Sequence, residues 1–262
     1  MTTEVSTDVG KTGVRIERDG PVATVTLCRP DVLNAQTPAM WAALRDAGRE
    51  LPGDVRVVVI RGEGRAFSAG LDLRQANDPD DGALAAIARL TPDEAADRIA
   101  GFQEGFTWLA RPDIVSIAAV QGHAIGAGFQ LALACDLRIL TTDAKLTMAE
   151  ISLGLVPDLG GTAPLVRLVG YARALEICAT GRRVGAEEAL AMGLANLVVP
   201  PDDLDDAVRD LTAALLAGAR DAVVEIKALL AGAAAGRDWP AQLRAEREAQ
   251  VRRIRDLAGV GE

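Results

Sequence analysis

The sequence predicts an α/β fold, on three observations. Short apolar runs at 55–60, 114–120 and 136–140 read as buried strands, and helical patterns lie between them. Glycine-rich breaks at 61–65 and 126–128 end strand patterns and open the next segment. From residue 202 onward only helical periodicity remains, over 203–217, 221–235 and 239–257. Strands with helical crossovers followed by helices alone imply an α/β core over 13–200 and a helical region over 201–262. Residues 1–12 are expected to be disordered, and no linker divides the rest.

Taken in order, 14–18 and 22–27 alternate with period two across Asp19-Gly20, a hairpin signal. Thr37-Pro38 is a helix cap with proline in the first turn. Met40, Trp41, Leu44, Ala47 and Leu51 form its apolar stripe, so Trp41 is expected in the core. The stretch 77–82 is too polar and kinked to pack and reads as a surface loop. Thr91-Pro-Asp-Glu94 is a capping box for a helix through Ala95, Ile99, Phe102, Phe106 and Leu109. After the strand at 114–120 comes a buried helix through Leu131 and Leu133, then a strand at 136–140 and a short one at 145–148. Helices are expected from about Thr162, from Tyr171 and from Val184, with a last strand over 194–199.

Composition removes several classes of function. At 262 residues the chain is long enough for a sizeable core, and 49% hydrophobic with 25% charged residues is an ordinary soluble balance. A net charge of −9 disfavours nucleic acid and anionic membranes as partners, and no uncharged run reaches a membrane span. Cys28, Cys135 and Cys178 show no paired spacing, and the N-terminus lacks a signal-peptide pattern. Free thiols and a cytoplasmic location are expected. No metal cluster is visible, and the single histidine, His123, has no evident Ser or Cys partner for a hydrolytic triad.

The chemistry is expected at the glycine breaks. A strand that breaks on glycines, here Gly122 and then Gly126-Ala127-Gly128, and restarts as a helix leaves the first helical N–H groups without backbone acceptors and favours a negative oxygen in front of them. The bend Ala66-Phe-Ser-Ala-Gly-Leu-Asp-Leu73 follows a strand in the same way and aims the N–H of Leu71 outward. Two such donors on one oxygen make an oxyanion hole. Glu150 and Asp158, eight residues apart across a Gly/Pro-rich loop, are placed to reach one cavity. In an apolar pocket their pKa values would rise toward the working pH, which suits proton transfer. The alternative for Asp158 is a cap on the helix starting near Gly161.

The residues 66–73 and 117–137, with Arg29-Pro30 and Leu33-Asn34-Ala35, resemble the crotonase (enoyl-CoA hydratase/isomerase) superfamily. Gly154-Leu-Val-Pro-Asp-Leu-Gly-Gly-Thr162 and the segments 180–189 and 193–199 extend the match, in family order from about residue 14 to 235. The resemblance implies a crotonase-like (ClpP/crotonase) core of repeated β-β-α units and a C-terminal helical trimerisation region. It implies a homotrimer or homohexamer and an unsaturated acyl-CoA thioester as substrate, with coenzyme A part of that substrate and no separate cofactor. The thioester oxygen would bind the N–H groups of Leu71 and Ala127, with Glu150 and Asp158 catalytic. CoA and acyl chain would contact Leu33, Ala35, Ala69, Asp72, Leu73, Gly126, Gln130 and Pro157, with Arg29, Arg74 and Lys227 as candidate cations. Residues 74–89 correspond to the family's variable lid.

Two departures matter. Gln130 stands where the family's hydratases carry the first of two glutamates, and an amide cannot act as a base. The C-terminus lacks the family's phenylalanine and Lys-Arg pair that help close the CoA site. The expected reaction is therefore double-bond isomerisation by a carboxylate shuttle. Hydration by Glu150 with Gln130 orienting the water, a non-catalytic acyl-CoA binder, and a ring-cleaving or dehalogenating activity are the alternatives.

Overall fold

The computed structural model describes residues 3–5, 9–76, 78 and 82–260. The first elements are β1 (Thr3–Val5), α1 (Val9–Thr12), β2 (Val14–Asp19), β3 (Val22–Leu27), α2 (Pro38–Glu50) and β4 (Val57–Gly62). Next come α3 (Leu73–Ala76), α4 (Ala83–Ala88), α5 (Pro92–Thr107), β5 (Val115–Val120), β6 (His123–Ile125) and α6 (Ala127–Ala134). They are followed by β7 (Leu137–Thr141), β8 (Lys145–Thr147), α7 (Thr162–Val169), α8 (Tyr171–Thr180) and β9 (Arg183–Gly185). The chain closes with α9 (Ala186–Ala191), β10 (Leu197–Val199), α10 (Leu204–Ala217), α11 (Arg220–Ala234) and α12 (Trp239–Leu257).

Seven strands form one sheet in the order β1-β2-β3-β4-β5-β7-β10, antiparallel through β3 and parallel beyond it. A parallel neighbour needs a crossover, and the helical segments between these strands supply it. A second sheet, β6-β8-β9, lies apart from the first. Consecutive units thus send one strand to each sheet and then a helix: β5, β6, α6, and next β7, β8, α7. Ser68, bridged to Ala124, is the corresponding point after β4. This is the expected β-β-α repetition.

Strand β4 is buried on both faces, which is why it reads as an unbroken apolar run. Val58 and Ile60 face the main core, with Met40, Leu44, Phe106 and Phe129. Val57 and Val59 face a smaller cluster closed by α10 through Leu204, Val208 and Leu211. Helices α2 and α5 pack through Trp41, whose ring centroid lies 4.8 Å from that of Phe102 and 6.3 Å from that of Phe106. No helix of the described residues is long and apolar enough to cross a membrane.

Some boundaries differ from expectation. Of residues 1–12, Thr3–Val5 pair with β2 and Val9–Thr12 form a helical turn. The hairpin turns on Gly20-Pro21, one residue later than expected, with Gly20 at φ 54°. Val184 lies in β9 and the helix starts at Ala186, because Val184 pairs with Leu146 across the small sheet. Of the polar stretch 77–82, residues 77 and 79–81 lie outside the described residues.

Candidate active site

The bend at 66–73 is held from both sides. Ser68 N donates to His123 O and Ser68 O accepts from Ile125 N, so the bend lies against β6. On its other edge Gln36 N donates to Gly70 O and Asp72 N to Gln36 O. In a parallel pairing of this kind the residue between, Leu71, presents its own N–H to the opposite edge. Among the described residues that N–H has no acceptor. Beneath the bend runs a buried chain of bonds: Trp41 Nε1 to Gln36 Oε1 at 2.8 Å, Gln36 Nε2 to Ser68 Oγ at 3.1 Å, and Ser68 Oγ to Asn34 O at 2.8 Å.

Gly126 turns β6 into α6 with φ 49° and ψ −117°, a conformation that only glycine adopts without strain. Gly126 N is used by Thr147 O, and Gln130 N closes the first helical turn on Gly126 O. Ala127 N, the first helical amide, is left without an acceptor among the described residues. The bend and the helix start approach closely: a methyl group at Gly70 would lie 3.5 Å from Ala127 N. Leu71 and Ala127 both line one cavity of about 340 Å³. That size is at the low end of the roughly 300–1,000 Å³ common for ligand cavities.

The same cavity takes Glu150 and Asp158 on its wall, among Trp41, Leu84, Phe102 and Leu155. Glu150 begins a 3-10 turn, Glu150–Leu153, and is 9% exposed. Its Oε1 accepts from Gln130 Nε2 at 2.7 Å, and its buried Oε2 has no protein partner. Burial pushes the Glu150 carboxyl above the ordinary glutamate range; its own backbone N–H and then the Gln130 bond only partly offset this, and the charge of Asp158 adds to it. Burial also raises Asp158. The backbone oxygen of Asp158 accepts from Gln103 Nε2 of α5 at 2.7 Å. Gly161, not Asp158, is the N-cap of α7, and no side chain caps that helix, so the capping alternative falls.

The other predicted residues divide. Ala69, Leu73 and Gly126 line the cavity. Gln130 does not: it is 1% exposed and sits behind Glu150, its oxygen taken by Leu159 N at 2.9 Å and Gly161 N at 3.2 Å. It is therefore not free to orient a water. Pro157 is half-buried and outside the cavity wall. Asp72 is buried in a 2.9 Å ion pair with Arg29 and accepts from the N–H groups of Arg74 and Gln75. Burial alone would raise its pKa, but Arg29 and those N–H groups outweigh burial and hold it low.

Leu33 and Asn34 both adopt positive φ, 53° and 55°, and the N–H groups of Leu33, Asn34 and Ala35 are all used within their own loop. Carbonyl lone pairs are what that loop has left for a ligand. Arg29 Nη1 donates to Ala35 O at 2.5 Å, so Arg29 fixes this loop and Asp72 together. Lys227 is not a free cation: its Nζ binds Asp136 Oδ2 at 2.7 Å, Ile114 O at 2.8 Å and Leu109 O at 3.3 Å. His123 pairs in β6 and is not in the cavity wall. Gln36, Ser68 and Gln103 were not legible as site residues, since neutral polar side chains carry no pattern until the fold supplies partners.

Residues 17–257 match the family described as enoyl-CoA hydratase/isomerase. A Mycobacterium bovis relative named as an enoyl-CoA hydratase, echA8, is 38% identical over 197 residues, covering 73% of this chain and 70% of its own. A carnitinyl-CoA dehydratase of Salmonella enteritidis is 38% identical over 218 residues, covering 82% of this chain and 78% of its own. A crystal structure assigned as an enoyl-CoA hydratase of Thermobifida fusca, in complex with acetoacetyl-CoA, superposes with a TM-score of 0.89. It shares 48% sequence identity and covers 95% of this chain and 97% of its own.

Proposed function

Because the chain belongs to the enoyl-CoA hydratase/isomerase family, which acts on CoA thioesters, we propose that it moves the double bond of an unsaturated acyl-CoA. In this reading the thioester oxygen accepts from the N–H groups of Leu71 and Ala127. Those donors stabilise the negative charge that develops on the oxygen, an effect worth roughly 100–1,000-fold per donor. Glu150 takes a proton from the substrate carbon, and the electrons of that C–H bond pass into a dienolate. Glu150 or Asp158 then returns a proton at another carbon, so no water is consumed. The single observation that carries the reading is two acids, Glu150 and Asp158, on the wall of one largely apolar cavity that is also lined by Leu71 and Ala127, the two residues whose N–H groups are unpaired. A largely apolar wall offers an attacking water few polar groups to hold it.

Hydration is the second reading, and the names of the relatives, hydratase and dehydratase, favour it. There Asp158 would stand in for the missing glutamate, since the oxygen of Gln130 is already occupied. The test uses 3-hexenoyl-CoA, a 3,5-dienoyl-CoA and crotonyl-CoA in D₂O. Isomerisation yields a conjugated product with deuterium at carbon and no added oxygen; hydration bleaches the crotonyl-CoA absorbance. Glu150→Gln and Asp158→Asn are expected to slow turnover by roughly 100-fold or more, the usual worth of a positioned acid or base. Full activity in both variants sinks the proton-transfer assignment. Binding of all three thioesters with no turnover points instead to a non-catalytic acyl-CoA binder. Assembly as a trimer or hexamer belongs to the same proposal, with exposed Ile226, Leu230, Val251 and Ile254 on the last helices as apolar surface for it.

A further inference from the structure

Gln130 is the residue where this chain departs from the two-glutamate pattern, and its surroundings give the amide one allowed orientation. Two backbone N–H groups, of Leu159 and Gly161, point at one end of the side chain, and only oxygen can accept from both. The NH₂ end therefore faces Glu150 Oε1, at 2.7 Å. A methyl group at Gly161 would lie 3.1 Å from that same amide oxygen, so the loop approaches as closely as glycine permits. The loop so held carries Asp158, whose peptide oxygen is fixed from the other side by Gln103.

We propose that Gln130 is a positioning residue: a clamp of fixed polarity that occupies Glu150 Oε1, leaves Oε2 as the oxygen that transfers the proton, and pins the loop bearing Asp158. Oε2 is the buried carboxylate oxygen without a protein partner, so the proton of neutral Glu150 resides there. The clamp also explains how one side chain sets two acids at once. A glutamate at 130 would keep the acceptor for Leu159 and Gly161 but would place a carboxylate where Glu150 now receives an N–H. The two would then share one proton. The inference rests on Glu150 as the proton-transferring group. The other titratable groups that sense Glu150 are Asp158 on the loop and Cys178 on α8. Gln130→Glu keeps the acceptor for Leu159 and Gly161 and so leaves both in place, whereas Gln130→Leu also releases the loop that carries Asp158.

The test reads Glu150 without turnover. The infrared band of its protonated carboxyl, assigned by subtracting the spectrum of Glu150→Gln, is titrated in the full-length wild type, Gln130→Glu and Gln130→Leu. The midpoint is expected to rise by about one pH unit or more in both variants, in Gln130→Leu because the donor is lost and in Gln130→Glu because losing the shared proton leaves two like charges side by side. The acid limb of kcat on crotonyl-CoA or 3-hexenoyl-CoA should move up with it, with little change in KM for Gln130→Glu, whose loop contacts survive. If Gln130→Leu does not fold, Gln130→Glu carries the test alone. An unmoved midpoint in folded Gln130→Glu, with Glu150→Gln inactive, overturns the clamp and leaves the proton-transfer reading standing. A fully active Glu150→Gln overturns both.

Discussion

Gly70 has φ 84°, and a methyl group built on it would lie 2.4 Å from Ile125 O. Neither atom can retreat: Gly70 O is bound by Gln36 N, and Ile125 is paired in β6. Gly70→Ala is therefore expected to destabilise by about 1–3 kcal/mol through strain at positive φ. It should also turn the N–H of Leu71 away from the cavity and lower kcat by roughly 100-fold, the loss of one oxyanion donor. Denaturant unfolding and steady-state kinetics check the two parts separately. A variant that loses stability and keeps kcat removes Leu71 from the site. Gly126 differs in kind, since the nearest atoms a methyl group would meet there belong to the carboxylate of Glu150, at 3.2 Å, rather than to backbone.

At the scale of elements, α11 is fastened to the core by one ammonium. Lys227 Nζ binds two carbonyls of the segment before β5 and the carboxylate of Asp136, which also accepts from Ser116 N and Oγ. The side chain of Lys227 is 12% exposed and that of Asp136 27%, so water screens the pair only in part. Lys227→Met is expected to cost about 2 kcal/mol, below the figure for a wholly buried pair, and to leave KM for an acyl-CoA unchanged. A raised KM with intact stability would return Lys227 to the CoA site. The helix starts hold as their caps demand: Thr37 Oγ1 accepts from Met40 N, and Thr91 and Glu94 complete the capping box of α5. These two helices carry Trp41 and Phe102 to the cavity wall, so capping and site geometry are linked.

For the whole molecule, two acids held in one cavity couple folding to pH. Burial raises both Glu150 and Asp158, so the folded state holds their protons more tightly than the unfolded chain does. The contribution of these two groups to stability is then greatest below the unfolded carboxylate pKa, near about 4, and declines as pH rises through the folded values, while carboxylates held low by arginines, such as Asp72, contribute in the opposite direction. Asp158→Asn removes that decline at one group. Its denaturant midpoint is expected above that of the wild type near about pH 8, with the difference closing toward about pH 4. An equal midpoint at both pH values would mean that Asp158 is hydrated in the folded state. The same burial that costs stability is what would tune these groups for the proposed proton transfer.

From the chain alone, period and punctuation set the α/β class, the hairpin, the capped helices α2 and α5, and the three closing helices within a residue or two at each end. These are local signals, carried by neighbours in sequence, and so legible there. The motifs also placed Leu71, Ala127, Glu150 and Asp158 near one another, and the cavity brings all four onto its wall. What the tertiary structure alone decided is what each polar group faces. It set Gln130, expected as a substrate contact, behind Glu150 with both ends of its amide bonded, took Lys227 into an ion pair, and bonded Gln36, Ser68 and Gln103 to the segments that frame the cavity. Hydrogen-bond partners 20 to 118 residues away along the chain leave no periodic trace, because direction and distance exist only after the sheets have packed.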